Sequence, residues 1–289
     1  MEDYVVRASA AEAGIRAFAI TSRNLVEEAR RRHNLSPVCS AALGRLMSGA
    51  LMMGQTLKND SDLLTLRVEG DGPIKGLTVT ARGDGSVKGY AAVTDVVLPA
   101  NALGKLDVGG AVGRGFLYVS KDLGLKDPYS GEVELQTGEI AEDLTWYFAV
   151  SEQTPSSVGL GVLLTKENTV DQAGGFLLQL MPDAPEETIQ TLEGVLKEIP
   201  SVTNMLKDGL TPEDILDRLL HDFDHKISDR RPVCFRCDCS REKVKRALFS
   251  LRRDELQNLA EGDEPVTVHC HFCNTDYSFA PAELMQEEA

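Results

Sequence analysis

The sequence is short of positive charge and of aromatic residues, and it has no long uninterrupted apolar run. Lys and Arg number 30 against 45 Asp and Glu, so the formal net charge of the 289 residues is −15. This acidity argues against the whole chain binding DNA, RNA or anionic lipid, because such partners would repel it. The longest apolar stretch, residues 37–57, contains Arg45, Gln55 and three glycines. It therefore predicts a buried helix and not a membrane span.

We also recognise neither an export signal nor a catalytic motif in the sequence. The first residues, MEDYVVRAS, show no basic segment followed by an apolar one, so we expect a cytoplasmic protein. In that reducing compartment, clustered cysteines indicate metal or redox chemistry more often than structural disulfides. We recognise no Ser, His and Asp grouping, no paired carboxylates in a known motif and no phosphate-binding loop. An enzyme is therefore not expected.

The hydrophobic periodicity of residues 1–182 predicts an N-terminal α+β domain, in which a largely antiparallel sheet packs with helices. Ser36 followed by Pro37 is a favoured helix start, and the apolar residues that follow predict a helix through the core. Alternation of period two over residues 63–97, with Gly-Asp turns between the runs, predicts an antiparallel meander. Other strands are predicted at residues 15–21, 114–120, 157–165 and 174–181, and other helices at residues 23–32 and 139–153.

Two smaller parts follow this domain. Residues 183–231 carry short, acidic, amphipathic helix patterns broken by prolines, which predicts a helical linker with marginal stability of its own. Residues 232–289 hold five of the six cysteines and predict a small C-terminal zinc-binding domain. The linker helices carry apolar stripes that must be covered in the resting protein: Ile189, Leu192, Val195, Leu196, Ile199, Ile215, Leu216, Leu219 and Leu220.

The cysteines of the last part have the spacing of a metal site. A structural zinc site takes four thiolates, usually as two short pairs separated by a loop. Cys270 and Cys273 form one C-x-x-C pair. Spacing alone favours Cys234 with Cys237 as the other pair, because it is also C-x-x-C and brings both sulfur atoms to one side of a tight turn. Cys237 with Cys239 is C-x-C, which is harder to close around a metal because alternate side chains point the same way but stand apart. The flanking His269 and His271 could each replace a thiolate, but thiolates are already in surplus.

Two other signals have simpler structural interpretations. His221 and His225 are four residues apart, so on a helix they would share a face and could hold a metal. The general base of a zinc protease is missing there, however, and a solvated helix face accounts for the pattern. Cys39 lies at the start of the apolar helix and is interpreted as a small core residue.

A basic segment supports a second functional hypothesis. Nine Lys and Arg lie between Arg230 and Arg253, against Asp238 and Glu242. A zinc knuckle beside a basic helix is also how many nucleic-acid-binding modules are built. A zinc-ribbon protein that binds nucleic acid or the ribosome is therefore the alternative, although few aromatic side chains are available for base stacking.

The cysteine pattern and its surroundings resemble the 33-kilodalton heat-shock proteins, a family of redox-regulated holdase chaperones. The resemblance lies in the order C-x-C, a spacer, then C-x-x-C, and in the stretches CSREKVKRAL, CHFCNTDYSF, YFAVSEQTPSSVGLGVLL and AGGFLLQLMPDAPEE. It covers essentially the whole chain. It implies that Cys237, Cys239, Cys270 and Cys273 bind one zinc ion per chain in the reduced state. Cys234 is then left over, as a candidate auxiliary thiol.

The resemblance also implies a switch under oxidative stress. Oxidation would form the disulfides Cys237–Cys239 and Cys270–Cys273, zinc would leave, and the linker would loosen. Apolar surface would then hold unfolding client proteins without ATP and prevent their aggregation, with a homodimer as the active form. Zinc binding to four thiolates is worth about 10–16 kcal/mol in small modules, so its loss would remove most of the folding energy of such a domain.

The assignment of Cys237 and Cys239 as the first pair of ligands leads to a prediction about Cys234, the thiol that is left over. We expect Cys234→Ser to retain one zinc per chain, whereas Cys239→Ser weakens zinc binding severely, because Cys239 belongs to the C-x-C of the resemblance. The zinc content of the purified, reduced variants measures this. Loss of zinc from Cys234→Ser with retention in Cys239→Ser would show that the C-x-x-C at Cys234 is the true first pair.

Overall fold

The structure, a computed structural model, describes residues 2–262 and 264–285. The chain divides into two compact units at the bond between Phe235 and Arg236. The strands are β1 Tyr4–Ala10, β2 Ile15–Thr21, β3 Leu63–Gly70, β4 Gly76–Arg82, β5 Ser86–Ala91, β6 Gly115–Asp122, β7 Tyr129–Glu134, β8 Ser156–Leu164, β9 Val170–Leu180, β10 Lys226–Pro232, β11 Cys234–Phe235, β12 Val266–Cys270 and β13 Thr275–Phe279. The helices are α1 Arg23–His33, α2 Pro37–Gly54, α3 Val108–Val112, α4 Ala141–Val150, α5 Glu186–Glu198, α6 Val202–Lys207, α7 Pro212–Leu219, α8 Arg241–Phe249, α9 Arg253–Leu259 and α10 Pro281–Met285.

Two sheets organise the larger unit. The first sheet has the order β10-β1-β2-β9-β8, and each of its pairs is antiparallel. The second has the order β11-β5-β4-β3-β6-β7 and is antiparallel apart from the short parallel pair of β11 and β5. The predicted α+β class with largely antiparallel sheets is confirmed, and so is the meander of β3, β4 and β5.

The predicted core helix is α2, which contacts strands of both sheets. It begins at Pro37 after an extended Ser36, and apart from Pro37 and Arg45 its residues are buried. A Cβ atom on Gly49 would lie only 2.6 Å from Leu144 Cδ1, so a larger residue there would force the Leu144 side chain of α4 to shift. None of the helices among the described residues combines the length and apolar character that a membrane span requires.

Alternation along β1, β2 and β9 gives the first sheet two apolar faces. Phe18, Ile20 and Leu177 point into the main core with α2, whereas their neighbours Ala17, Ala19 and Leu178 point to the opposite face. Helices α5, α6 and α7 cover that second face. Seven of the nine apolar residues of the linker stripes belong to this cluster: Leu192, Ile215, Leu216, Leu219 and Leu220 are buried in it, and Leu196 and Ile199 pack partly buried against it. The other two, Ile189 and Val195, are half-buried and do not belong to it.

Polar contacts fasten the end of the linker to the sheet. The Tyr4 hydroxyl donates to Glu213 Oε2 at 2.8 Å, and Arg230 Nε donates to Glu213 Oε1 at 2.9 Å. The Arg230 guanidinium lies 4.2 Å from the centre of the Tyr4 ring. Because Arg230 is largely exposed, water screens its ion pair and the pair contributes little, so apolar burial under α7 is the larger stabilising effect.

Six strands were not predicted: β1, β7, β10, β11, β12 and β13. For three of them the composition explains why. The sequence of β10, KISDRRP, is polar and almost fully exposed, because β10 is the outermost strand of its sheet. The outermost strand β7 is similarly exposed, and β1 is rich in small residues. Residues 226–231 of the predicted helical linker therefore form a strand, since backbone pairing with β1 needs no apolar side chains.

The contact between linker and sheet generates a prediction. Leu219→Ala should lower the local free energy of unfolding by about 2–5 kcal/mol, because Leu219 is fully buried and its truncation leaves a cavity. Amide hydrogen exchange should then accelerate in α5, α6 and α7 while α2 keeps its protection. Leu103→Ala, at a residue 79% exposed, is the matched control and should change neither region. Unchanged exchange in α7 of Leu219→Ala would contradict the prediction.

Candidate metal centre

The C-terminal pair of cysteines lies at the tip of a hairpin. Strands β12 and β13 pair antiparallel with Cys270 opposite Thr275, which leaves a four-residue loop between them. The backbone N–H groups of Cys273 and Asn274 donate to the Cys270 carbonyl at 3.3 and 2.8 Å. Asn274 takes a left-handed φ of 56°, which asparagine tolerates well. The chain therefore turns tightly enough to bring both thiols to one side.

The other two thiols come from the irregular segment just before α8. Ser240 caps α8 by accepting a hydrogen bond from the Lys243 N–H at 3.2 Å. Asp238, between the two cysteines, forms an ion pair of 2.7 Å with Lys243 Nζ. Where the backbone is extended, alternate side chains point the same way. Cys237 and Cys239 therefore lie on one side of the segment, and Asp238 lies on the other. The alternation of side chains that made C-x-C look unfavourable on spacing alone thus places both thiols on the same side.

The four sulfur atoms of Cys237, Cys239, Cys270 and Cys273 lie within 4.8 Å of one another. Cys237 Sγ is 3.9 Å from Cys270 Sγ, and Cys239 Sγ is 3.2 Å from Cys273 Sγ. Tetrahedral zinc with bonds of about 2.3 Å would hold its sulfur ligands about 3.8 Å apart. Within residues 2–262 and 264–285, this is the one group of three or more His, Cys, Asp or Glu side chains placed to hold a metal ion. Four thiols at these distances fit a single tetrahedral ion.

Ionisation of the four thiols is uneven. Burial and the neighbouring thiols raise the pKa of Cys237, and burial also raises the pKa of Cys273. Burial acts in the same direction on Cys239, but hydrogen bonds from Tyr277 and from the other thiols outweigh it and lower the pKa of Cys239 to about 7. Without a metal, thiols this close cannot all ionise, because each thiolate disfavours the next. A divalent cation would remove that conflict.

Cys234 lies outside this group. It belongs to β11, where it pairs with Ser86 of β5 in the larger unit. Val233 is buried in the main core and Phe235 packs against it, so the alternation of the strand turns Cys234 outward, and its side chain is exposed. Cys39 is fully buried in α2, and its Sγ lies 3.3 Å from the Val93 carbonyl oxygen, as expected of a core residue.

The histidines take other partners. His269 Nδ1 lies 2.7 Å from Asp276 Oδ1, and His225 Nε2 lies 2.8 Å from Asp217 Oδ1. His221 and His225 follow the end of α7 at Leu219, so they do not share a helix face. The ring Nδ1 of His221 lies 3.1 Å from the Arg218 carbonyl oxygen. These contacts leave the four thiols as the candidate ligands.

Two hydroxyl groups beside the sulfur atoms were missed in the sequence. Tyr277 Oη lies 3.1 Å from Cys239 Sγ, and Thr275 Oγ1 lies 3.4 Å from Cys273 Sγ. The sequence does contain a signal for these hydroxyl groups, because residues 275, 277 and 279 would share one face of a strand that follows the C-x-x-C pair. Only the pairing of the hairpin establishes that this face meets the thiols.

Arg241 joins the two halves of the centre. Its guanidinium donates to the Ser278 carbonyl and to Glu283 Oε2, the latter at 2.9 Å, and lies 4.3 Å from the centre of the Phe279 ring. The helix that follows Cys239 is thereby held to the hairpin that carries Cys273. The apolar core of this unit is small, with only Leu248, Ala260, Phe279 and Leu284 buried in its cluster of described residues.

The basic segment is extensively paired with acidic groups. Arg231 contacts Asp60 at 2.7 Å, and Arg252 contacts Glu255 at 2.9 Å. Arg230, Arg241 and Lys243 have the acidic partners described above. Residues 236–289 also carry seven Lys and Arg against eleven Asp and Glu. At least five of the nine basic residues in this segment are thus paired with acidic side chains.

The role of Arg241 generates a prediction. Arg241→Leu should weaken metal binding by about tenfold, because partners beyond the ligands position them, while saturating zinc still gives one ion per chain. Competition with a chromophoric chelator measures the affinity. Arg252→Leu is the matched control, because its ion pairs with Glu255 and Asp254 lie within the start of α9. Equal affinities of the two variants would contradict a clamp at Arg241.

Comparison with known proteins places the chain in one family. The family model described as Hsp33 protein matches residues 3–280. The "33 kDa chaperonin" of Agathobacter rectalis is 55% identical over 286 residues, covering 99% of both chains. That of Clostridioides difficile is 50% identical over 287 residues, covering 99% of this chain and 98% of the relative.

A solved structure agrees with these sequences. The crystal structure of the 33 kDa chaperonin, a heat shock protein 33 homolog, from Thermotoga maritima superposes with a TM-score of 0.91. Its sequence is 37% identical, and the match covers 98% of this chain and 97% of that one. The predicted family is confirmed by sequence and by structure. The chain belongs to the Hsp33 family.

Proposed function

We propose that this chaperone is a redox-regulated holdase, which acts without ATP and catalyses no reaction. The observation that carries the proposal is the gathering of four thiols in a unit whose own apolar core is small. Cys237, Cys239, Cys270 and Cys273 are the proposed ligands of one zinc ion in the reduced state. Zinc bound to them would contribute about 10–16 kcal/mol of folding energy to the unit.

The proposed oxidation uses pairs of neighbouring thiols. One thiolate of a pair attacks a peroxide oxygen, the O–O bond breaks, and a sulfenic acid and water result. The second thiol of the pair then attacks the sulfenic sulfur, water leaves, and the S–S bond forms. Formation of each disulfide thus transfers two electrons from a pair of thiols to one peroxide. The products we propose are Cys237–Cys239 and Cys270–Cys273, which together remove all four ligands.

Loss of the ligands would reach the linker through the chain. Arg236 is the single residue between Phe235 of β11 and Cys237, and β10 ends two residues before β11. We propose residues 232–289 as the redox-switch domain, residues 183–231 as the metastable linker and residues 1–182 as the client-binding domain. When the linker loosens, the second apolar face of the first sheet and the apolar stripes of α5 and α7 become accessible. Large exposed apolar patches are typical of surfaces that bind other proteins.

The clients of the proposed function are unfolding proteins with exposed apolar segments. The resemblance also supports a homodimer as the active form and a cytoplasmic location. The alternative of nucleic-acid or ribosome binding is disfavoured by the paired basic segment and by the acidic excess of residues 236–289. Such partners need unpaired positive charge along one face.

An aggregation assay separates the two functions. The reduced, zinc-loaded protein should suppress the aggregation of a heat-unfolded client poorly, whereas the peroxide-oxidised protein should suppress it at a near-equimolar ratio. Released zinc is followed with a chromophoric chelator in the same sample. Reduction with dithiothreitol in the presence of zinc should restore the inactive form. Tight, salt-dependent binding of RNA by the reduced protein, with no suppression in either state, would favour the alternative.

Amide exchange on the same samples tests the linker. Oxidation should accelerate exchange between residues 185 and 231, while α2 stays protected, because marginally stable helices open first. Equal protection of both regions in the two redox states would rule out unfolding of the linker as the switch.

A further inference from the structure

The face of β13 that points toward the thiols carries two hydroxyl groups with different partners. The Cys273 thiol donates to Thr275 Oγ1 at 3.4 Å, and Thr275 Oγ1 in turn donates its proton to the Cys273 carbonyl oxygen at 3.4 Å. Tyr277 Oη lies 3.1 Å from Cys239 Sγ, the shorter of the two hydroxyl-to-sulfur distances. The ring of Tyr277 packs against the small core around Phe279, which fixes the direction of its hydroxyl.

The direction of the hydrogen bond follows from the chemistry of a ligand. A cysteine that binds a metal is a thiolate and has no proton to donate. In the ligated state, the phenol of Tyr277 must therefore be the donor and the sulfur of Cys239 the acceptor. Because the acceptor is charged, this bond is stronger than one between neutral groups.

Cys239 is also the accessible member of the closest thiol pair. Its sulfur lies 3.2 Å from that of Cys273, whose residue is only 5% exposed, whereas Cys239 is half-buried. Reaction with an oxidant requires access as well as thiolate character. Of these two sulfur atoms, the one that an oxidant reaches more easily is the one that holds the phenol hydrogen bond.

We propose that Tyr277 is a positioning residue that restrains oxidation of the centre by donating a hydrogen bond to the Cys239 thiolate. This inference rests on the proposed function, since it assigns the residue that sets how much oxidant opens the switch. The hydrogen bond draws electron density from the sulfur and occupies one of its lone pairs. Both effects make the thiolate a weaker nucleophile toward the O–O bond of a peroxide.

The test compares Tyr277→Phe with the unaltered full-length protein, both reduced and loaded with zinc. Phenylalanine keeps the ring in the core and removes only the donor. We expect zinc release by hydrogen peroxide to become several-fold faster, because the thiolate loses its hydrogen-bond donor and the nucleophilicity of a thiolate rises with its basicity. Zinc content should remain one per chain before oxidation.

Cobalt(II) provides a readout that does not depend on oxidation. In the cobalt-substituted protein, loss of a hydrogen bond to a ligand thiolate should move the sulfur-to-cobalt charge-transfer band to lower energy. Thr267→Val is the matched control, because it removes a hydroxyl that contacts Ser278 Oγ at 3.0 Å in the same hairpin. The control should leave both the band and the release rate unchanged. An unshifted band together with an unchanged release rate in Tyr277→Phe would overturn the proposal.

A tyrosine analogue that is a stronger hydrogen-bond donor provides a second test if Tyr277→Phe fails to bind zinc. Replacement of Tyr277 by 3-fluorotyrosine makes the phenol a stronger donor and should slow zinc release and move the band to higher energy. Faster release from that protein would contradict the proposal. Unaltered protein that keeps its zinc under peroxide would instead count against the proposed function, while the cobalt spectra would still decide the role of Tyr277.

Discussion

The apolar side chains of α7 and the second face of the first sheet bury one another, and the resting arrangement of the larger unit depends on that contact. A sheet that is apolar on both faces needs a cover on each side. Helix α2 provides one cover from within the main core, and its residues are held by contacts with two sheets. The other cover consists of three short helices with prolines between them. The same sheet is therefore covered by one long buried helix on one face and by three shorter helices on the other.

The two units also differ in the size of their apolar cores. The main core contains several dozen buried side chains, whereas the cluster of the C-terminal unit buries four among the described residues. A core of that size supplies little of the energy needed to fix some fifty residues, so cross-links or metal ligands must supply the rest. In the proposed function, the side chains that provide the ligands would also be the ones that oxidants modify. Folding of the small unit would then depend directly on the oxidation state of its thiols.

Much of this arrangement could be predicted from the sequence, and what could not has an identifiable cause. The helix α2 and the meander β3–β5 follow from apolar periodicity, because both are buried and periodicity reports burial. The strand β10 has no such signal, since its neighbours in the sheet supply its hydrogen bonds and its side chains stay in water. Spacing alone favoured Cys234 over Cys239, whereas the structure places Cys239 with the other three thiols. The buried neighbours Val233 and Phe235 turn Cys234 outward, and spacing alone does not reveal burial of neighbours.

Residues 226–235 close one edge of each sheet in succession. Strand β10 pairs along β1, and after Val233 the strand β11 pairs with β5 of the other sheet. If these ten residues came away, β1 and β5 would be left with rows of unpaired amide and carbonyl groups. Such rows recognise any extended polypeptide through its backbone, whatever its side chains. Detachment would thus add a sequence-independent mode of adhesion, based on hydrogen bonds, to the apolar surface that lies beneath the helices.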